Sequence, residues 1–134
     1  MGGACFGSSG AWLVPELVEN VPPIRDVSLS ELFISFSTTD GELYTWGKFS
    51  RTTFPKPCKI SPDDLDFELV GCGEKHSLAS TKDGRVFQVG ENQWCQLGMI
   101  SPPLSSLTQS AEVLGTKVLA LSAELGISCC VIKN

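Results

Sequence analysis

The sequence predicts an all-β fold built from repeated antiparallel hairpins, and three observations carry that prediction. Asp40-Gly41 and Asp83-Gly84 are signals for tight turns, because such turns need positive φ angles that Gly and Asp tolerate. Gly41 and Gly84 stand 43 residues apart, a spacing in the range of propeller repeats. Proline-rich connectors separate the units, and proline cannot donate to a sheet ladder. These connectors lie at residues 21–23, 54–57 and 101–103.

Two stretches of the chain align when their Asp-Gly pairs are superposed. They are residues 27–47 and 70–90, and each ends in a glycine after a short apolar strand, Gly47 or Gly90. A third copy begins at residues 121–134, where Asn134 stands in the position of the Asp. The alignment divides a single partial propeller domain, residues 1–134, into three units. Their limits are about 1–47, 48–90 and 91–134, with the last unit truncated.

Residues 106–125 leave a second interpretation open. Leu107, Ala111, Leu114 and Val118 lie near helical spacing, which would suit a short helix before the third unit. Gly115 in the middle of this segment counts against a helix.

Residues 70–98 carry a pattern that resembles the repeat of the regulator of chromosome condensation family. The matching positions are Val70, Cys72, Gly73, His76, Ser77, Leu78, Ala79, Thr81, Asp83, Gly84, Val86, Phe87, Gly90, Asn92 and Gln96-Leu97-Gly98. The resemblance implies antiparallel four-stranded blades of a β-propeller, seven in the typical member, so about two and a half units make an incomplete one. It also implies structural rather than chemical roles for the repeat positions. These positions are Asp40, Gly41, Trp46, Gly47, His76, Asp83, Gly84 and Gly90.

The chain departs from the family pattern at several positions. Phe33 and Ile127 replace the histidine, Val89 replaces the tryptophan found at Trp46, and Cys95 replaces a glycine. These departures indicate a divergent member.

Cys72 and His76, with Cys95 further on, are the residues that first suggest chemistry, as zinc ligands or as a Cys-His nucleophile pair. The sister repeats argue against both roles, because hydrophobic residues such as Phe33 and Ile127 occupy the histidine position. We therefore expect a packed interior position, with His76 hydrogen-bonded to backbone in its own blade. We expect no catalytic residue, metal or cofactor.

Two further groups are candidates for contact with a partner. Trp94 follows Asn92 and Gln93 in a predicted loop, where an exposed aromatic ring could anchor a protein, although the ring could instead cover the next blade. Trp46, at the end of a strand, is expected in the core. The acidic run of Asp63, Asp64, Asp66 and Glu68 is expected to be a solvated loop, with contact to a basic partner as the alternative.

The bulk composition narrows the class of partner. The net charge of −5 comes with no basic stripe, which argues against direct nucleic-acid binding. No apolar run reaches the roughly 18 residues of a membrane span, and no secretory signal is evident. The six cysteines are expected to be reduced thiols, so we expect an intracellular protein, cytoplasmic rather than nuclear.

Two functional hypotheses follow. The favoured one is a non-enzymatic protein-interaction scaffold, a fragment or short isoform whose partner is another protein or the remainder of a larger propeller. The alternative, implied by the resemblance, is a guanine nucleotide exchange factor, or part of one, for a small GTPase; a catalytic domain outside this chain is a third possibility. The unpaired strand edge of the last unit predicts marginal stability or self-association.

Overall fold

The computed structural model describes residues 17–49, 52–92, 104–109 and 117–133, which form three antiparallel sheets. Blade 1 contains β1 (Ile24–Leu29), β2 (Phe33–Thr38), β3 (Leu43–Phe49) and β4 (Thr52–Lys59) in that order. Blade 2 contains β5 (Phe67–Cys72), β6 (His76–Thr81), β7 (Val86–Gly90) and β8 (Leu104–Gln109). The third sheet is the hairpin of β9 (Lys117–Glu124) and β10 (Ile127–Lys133). The predicted all-β class is confirmed.

The first hairpins of the three sheets repeat one another. The first three strands of blade 2 begin 43 residues after their counterparts in blade 1. In each sheet the first hairpin carries a bulge at the same place, next to the pairs Ile24–Thr38, Phe67–Thr81 and Val118–Ile132. Blade 1 spans residues 24–59 and blade 2 spans residues 67–109. The boundaries of the sheets therefore differ from those of the alignment units 1–47, 48–90 and 91–134.

The Asp-Gly turns have the predicted geometry. The φ angle is 82° at Gly41 and 90° at Gly84, where a side chain would be strained. The amide of Gly41 donates to the carbonyl of Thr38 at 3.0 Å, and the amide of Gly84 donates to that of Thr81 at the same distance. The matching bonds explain why one dipeptide recurs at both turns.

The helical interpretation of residues 106–125 is wrong wherever the structure describes them. Residues 106–109 belong to β8, which pairs with β7, and residues 117–124 form β9, which pairs with β10. Ladder hydrogen bonds to neighbouring strands therefore override the helical spacing, while residues 110–116 lie outside the described part. Within the described ranges, no helix is long and apolar enough to cross a membrane.

The hydrophobic core lies between sheets. Blade 1 contributes Leu43 to a cluster of buried side chains that blade 2 completes. The other members are Phe67, Val70, Ala79 and Phe87. The rings of Phe67 and Phe87 meet edge to face with centroids 5.4 Å apart. Each blade thus buries its apolar face only by stacking on its neighbour.

Candidate interaction surface

Cys72 and His76 lie on opposite faces of blade 2. The Cys72 thiol donates to the carbonyl of Ser28 in blade 1 at 3.4 Å, whereas Nε2 of His76 lies 2.9 Å from the Ser128 hydroxyl of the third sheet. Burial raises the pKa of the Cys72 thiol and lowers the pKa of His76. A buried, protonated thiol turned away from the imidazole supports neither a nucleophile pair nor a shared metal.

Other metal sites are also lacking in the part of the chain that the structure describes. No group of three His, Cys, Asp or Glu side chains is placed to hold an ion there. Cys95, the third candidate ligand, lies outside the described residues. Cys129 is exposed and Cys130 half-buried, as expected for adjacent residues on opposite faces of a strand.

His76 joins two sheets, and here the prediction of a bond within its own blade is wrong. The side chain is fully buried, and its ring is hydrogen-bonded to Ser128, which is 52 positions further along the chain. Gly73 makes room for the ring, since a Cβ at that residue would overlap the imidazole Cε1. The histidine is therefore a structural link between blade 2 and the third sheet.

Four polar side chains of blade 1 form a seam against β5. Because β5 is an edge strand, its outward N–H and C=O groups need partners from outside blade 2. The amide of Val70 donates to Asp26 Oδ2 and the amide of Cys72 donates to Ser28 Oγ, both at 2.9 Å. Ser30 and Ser37 donate to the carbonyls of Glu74 and Glu68, at 3.2 and 2.7 Å. This polar seam (Asp26, Ser28, Ser30 and Ser37) fixes blade 1 on blade 2.

Removing the charged member of the polar seam is expected to weaken the junction. The change Asp26→Ala leaves the Val70 amide without its carboxylate acceptor, so we expect a loss of about 1–2 kcal/mol in the free energy of unfolding. Urea denaturation measures the loss. Asp64→Ala is the matched control, because Asp64 is an exposed aspartate outside the seam. Equal stability of the two variants would show that the seam contributes nothing.

The junction between blade 2 and the third sheet is built differently. Leu69, Gly71 and Gly73 stand where blade 1 has Asp26, Ser28 and Ser30, so a matching seam cannot form. At Gly71 the absent side chain lets the backbone of the third sheet approach to 3.5 Å from the position of a Cβ. Ser80, the counterpart of Ser37, is buried with no hydrogen-bond partner for its hydroxyl. This junction depends on close backbone contact and on His76.

One face of blade 1 is apolar and is exposed along β1, although Phe36, which pairs with Val27, is only 2% exposed. Ile24, Val27 and Leu29 are 45, 48 and 59% exposed, whereas their counterparts in blade 2 are at most 5% exposed. Those counterparts, Phe67, Val70 and Cys72, are covered by blade 1 itself. We call this the open face of blade 1, and it also contains Ile34 and Trp46, which pair with each other across β2 and β3. In blade 2 the equivalent positions are buried against a neighbouring sheet, so we take the open face of blade 1 as the candidate interaction surface.

Trp46 belongs to the open face, so its prediction as a core residue is wrong. Its indole N–H donates to the carbonyl of Pro55 at 3.3 Å, and the side chain is half-buried. The counterpart Val89 is 5% exposed and shares a hollow with Thr45 and Phe54 of blade 1. The two residues differ in burial because they occupy different positions in the stack of sheets.

The structure describes only Asn92 of the three residues predicted to contact a partner in a loop, and this residue is not exposed. Asn92 is only 5% exposed and is engaged in an interaction, so its side chain is not at the surface where a partner could reach it. Gln93 and Trp94 lie outside the described residues, and their role stays a prediction.

The acidic run is partly neutralised within the chain. Asp63 pairs with Lys59, and Asp66 pairs with Lys82 at 2.8 Å and with Arg25 at 3.7 Å. The Lys59 ammonium holds the pKa of the Asp63 carboxyl below its ordinary value. The predicted solvated loop is confirmed, since residues 61–66 form a loop in which Asp63 is 93% exposed. Asp66 in addition connects Arg25 of blade 1 with Lys82 in the β6–β7 turn of blade 2.

Comparisons with known proteins agree with this architecture. No family model matches the chain. It is 28% identical over 136 aligned residues to the RCC1 domain-containing protein RUG3, mitochondrial, of Arabidopsis thaliana, covering 93% of this chain and 30% of that protein. Among solved structures it resembles human WBSCR16 with a TM-score of 0.69 and 18% identity, over 90% of this chain and 33% of that one.

A second solved structure gives the same result. Prp20p of Saccharomyces cerevisiae matches with a TM-score of 0.67 and 18% identity, over 89% of this chain and 33% of that one. The chain thus spans about a third of the length of these proteins. The structural likeness shows a shared propeller fold.

Proposed function

This chain belongs to the regulator of chromosome condensation (RCC1) repeat family, and from that premise we propose that it is a non-enzymatic protein-interaction module that binds through the open face of blade 1. The observation that carries the proposal is the equivalence of the open face with the buried face of blade 2. In blade 2 these positions pack against another sheet, so the open face has the shape and polarity to do the same. The partner we propose is accordingly a protein that presents a sheet.

The backbone of β1 adds specificity to this surface. Val27 and Leu29 correspond to Val70 and Cys72, whose amides point away from their own blade and receive Asp and Ser acceptors. By the same alternation the amides of Val27 and Leu29 point away from β2. A partner strand that carries Asp, Ser or Thr at alternate positions would satisfy them, which is the pattern of the polar seam.

Charged substitutions on the open face test the proposal. The double variant Val27→Asp, Leu29→Asp places two carboxylates in the apolar interface, and we expect it to lose partner binding about 100-fold or more. Both residues are about half exposed, so the fold should tolerate the change. Affinity capture with quantitative mass spectrometry identifies the partner, and titration of the purified pair measures the dissociation constant.

Leu119→Asp is the matched control. Leu119 is 51% exposed but lies in β9 of the third sheet, on the other side of blade 2 from blade 1. We expect this variant to capture the same proteins as the unmodified chain. If the double variant also captured them with unchanged affinity, the open face would not be the binding surface.

The exchange-factor hypothesis is tested with the same captured proteins. Prp20p, which shares its fold with this chain, has binding properties to Gsp1p and histones. A protein partner is therefore compatible with this fold, which supports the exchange-factor hypothesis as the alternative. If a small GTPase is captured, we measure the release of its bound nucleotide with and without the chain. Release well above the spontaneous rate would favour exchange over the scaffold role, whereas an unchanged rate supports the scaffold.

A further inference from the structure

The junction between blade 2 and the third sheet contains a buried titratable group. His76 is fully buried, and its Nε2 lies 2.9 Å from the hydroxyl of Ser128 on β10. Backbone lies close to this side chain within blade 2, since a Cβ at Gly73 would overlap the imidazole and a Cβ at Gly90 would lie 2.7 Å from the Cα of His76. Blade 2 and the third sheet together therefore enclose the imidazole.

A proton added to His76 finds no acceptor at this site. The neutral ring has one N–H and one bare nitrogen, whereas both nitrogens carry a proton in the imidazolium form. Nε2 has the Ser128 hydroxyl as its partner, but Nδ1 has no hydrogen-bond partner among the described residues. The imidazolium would therefore leave a charged donor unpaired in the interior, which is costly. Separation of the two sheets lets water accept that hydrogen bond.

The charged groups on the surrounding elements do not offset this cost. Burial lowers the pKa of His76, the carbonyl of Ile127 opposes that shift more weakly, and no charged side chain contributes to it. The titratable residues on these elements are Cys72 on β5, Glu74 and Lys75 in the β5–β6 turn, Glu91 after β7, Lys117 and Glu124 on β9, and Cys129, Cys130 and Lys133 on β10. An imidazolium at this position thus lacks a compensating carboxylate among the described residues.

The junction between blades 1 and 2 is built without such a group. At the position of His76 blade 1 has Phe33, which binds no proton. That junction is also fixed by the polar seam, whose Asp26 and Ser28 have no polar counterparts in blade 2. The two junctions of the chain therefore differ in their response to a proton on the histidine position.

We propose that protonation of His76 opens the junction between blade 2 and the third sheet while the junction between blades 1 and 2 stays closed. Opening exposes the face of blade 2 against which β9 packs, together with Val118 of β9, which is 4% exposed in the closed state. The pH thereby controls access to a second surface of the chain. This device is separate from the open face of blade 1 and does not depend on it.

Amide hydrogen exchange of the whole chain, followed by nuclear magnetic resonance and expressed as protection factors, tests the proposal. The two conditions are about pH 7.5 and about pH 5, on either side of the ordinary histidine pKa. We expect the protection of the β9 and β10 amides to fall about tenfold or more in acid, because of the cost of the unpaired charged donor, while that of β2 and β3 is kept. His76 is the one histidine of the chain, so its ring signal should titrate over the same range.

Two variants separate the effect of the proton from that of packing. In His76→Phe, which has the blade 1 residue at this position, the difference in protection between the two pH values should disappear. In Ser128→Ala the hydrogen bond is lost but the imidazole stays. The protection of the third sheet in this variant should fall at neutral pH, and a further loss in acid should persist.

Three outcomes contradict the proposal. Equal protection of β9 and β10 at both pH values would show that the junction does not respond to acid. An equal loss of protection in β2 and β3 would show that acid unfolds the whole chain rather than opening one junction. A loss that persists unchanged in His76→Phe would assign the response to another titratable group.

Discussion

Gly90→Ala is expected to lower the free energy of unfolding by about 3 kcal/mol, enough to unfold a marginally stable chain. Two causes act together. The φ angle of Gly90 is 119°, where a residue with a side chain is strained, and a Cβ there would lie 2.7 Å from the Cα of His76 and closer still to the carbonyl oxygen of Lys75. Backbone atoms cannot move aside as a flexible side chain can. Thermal melting followed by circular dichroism measures the loss.

Gly71→Ala is the control for Gly90→Ala. Gly71 is also a buried glycine of blade 2, but a Cβ at that residue would meet Ser122 at 3.5 Å, an ordinary van der Waals distance. Its φ angle is not in the positive range, so we expect a change below about 1 kcal/mol. If the two variants melted at the same temperature, neither the positive φ angle nor the close backbone contacts of Gly90 would require a glycine there.

His76→Ala is expected to destabilise the chain by about 2 kcal/mol, because it leaves a cavity at a fully buried position and removes the link to Ser128. His76→Phe is the companion variant, since Phe33 is fully buried at the same position in blade 1. We expect His76→Phe to lie between the unmodified chain and His76→Ala in urea denaturation. If both variants lost the same amount of unfolding free energy, the hydrogen bond to Ser128 would contribute more than the volume of the side chain.

The same histidine makes stability depend on pH. Burial lowers the pKa of His76 in the folded state below its ordinary value, so the unfolded chain binds the proton more readily. The contribution of neutral His76 is therefore complete above about pH 6.5 and is lost as the pH falls through the lowered pKa. In His76→Phe this dependence should vanish, while acid unfolding through paired carboxylates such as Asp83 persists at lower pH. Parallel curves of stability against pH for the two proteins would contradict this role.

The residues that make the repeat could be predicted because their signals are local. An Asp-Gly turn closes within four residues, as the bonds at Gly41 and Gly84 show, so its sequence suffices to place it. The recurrence of the two turns at a fixed distance then predicts sheets of equal design. The same local logic failed for residues 106–125, where helical spacing competed with strand pairing that involves distant parts of the chain.

The polar seam was missed, although a signal for it exists. Asp26, Ser28 and Ser30 alternate with Val27 and Leu29, a polar face and an apolar face on one strand. That pattern usually indicates a solvated face, and only the neighbouring edge of β5 shows that the polar side chains meet unpaired amides. The apolar side of the strand, not its polar side, is the one left exposed.

The sequence by itself determined the hairpins around the two Asp-Gly turns and the structural character of His76, because each follows from short-range geometry or from comparison between repeats. Only the tertiary structure decided which faces are covered. Val27 and Val70 are the same residue at the same repeat position, yet one is 48% exposed and the other 5% exposed. Burial depends on what stacks against a blade, and no pattern within one repeat records its neighbour. The interaction surface is for that reason a property of the stack rather than of the motif.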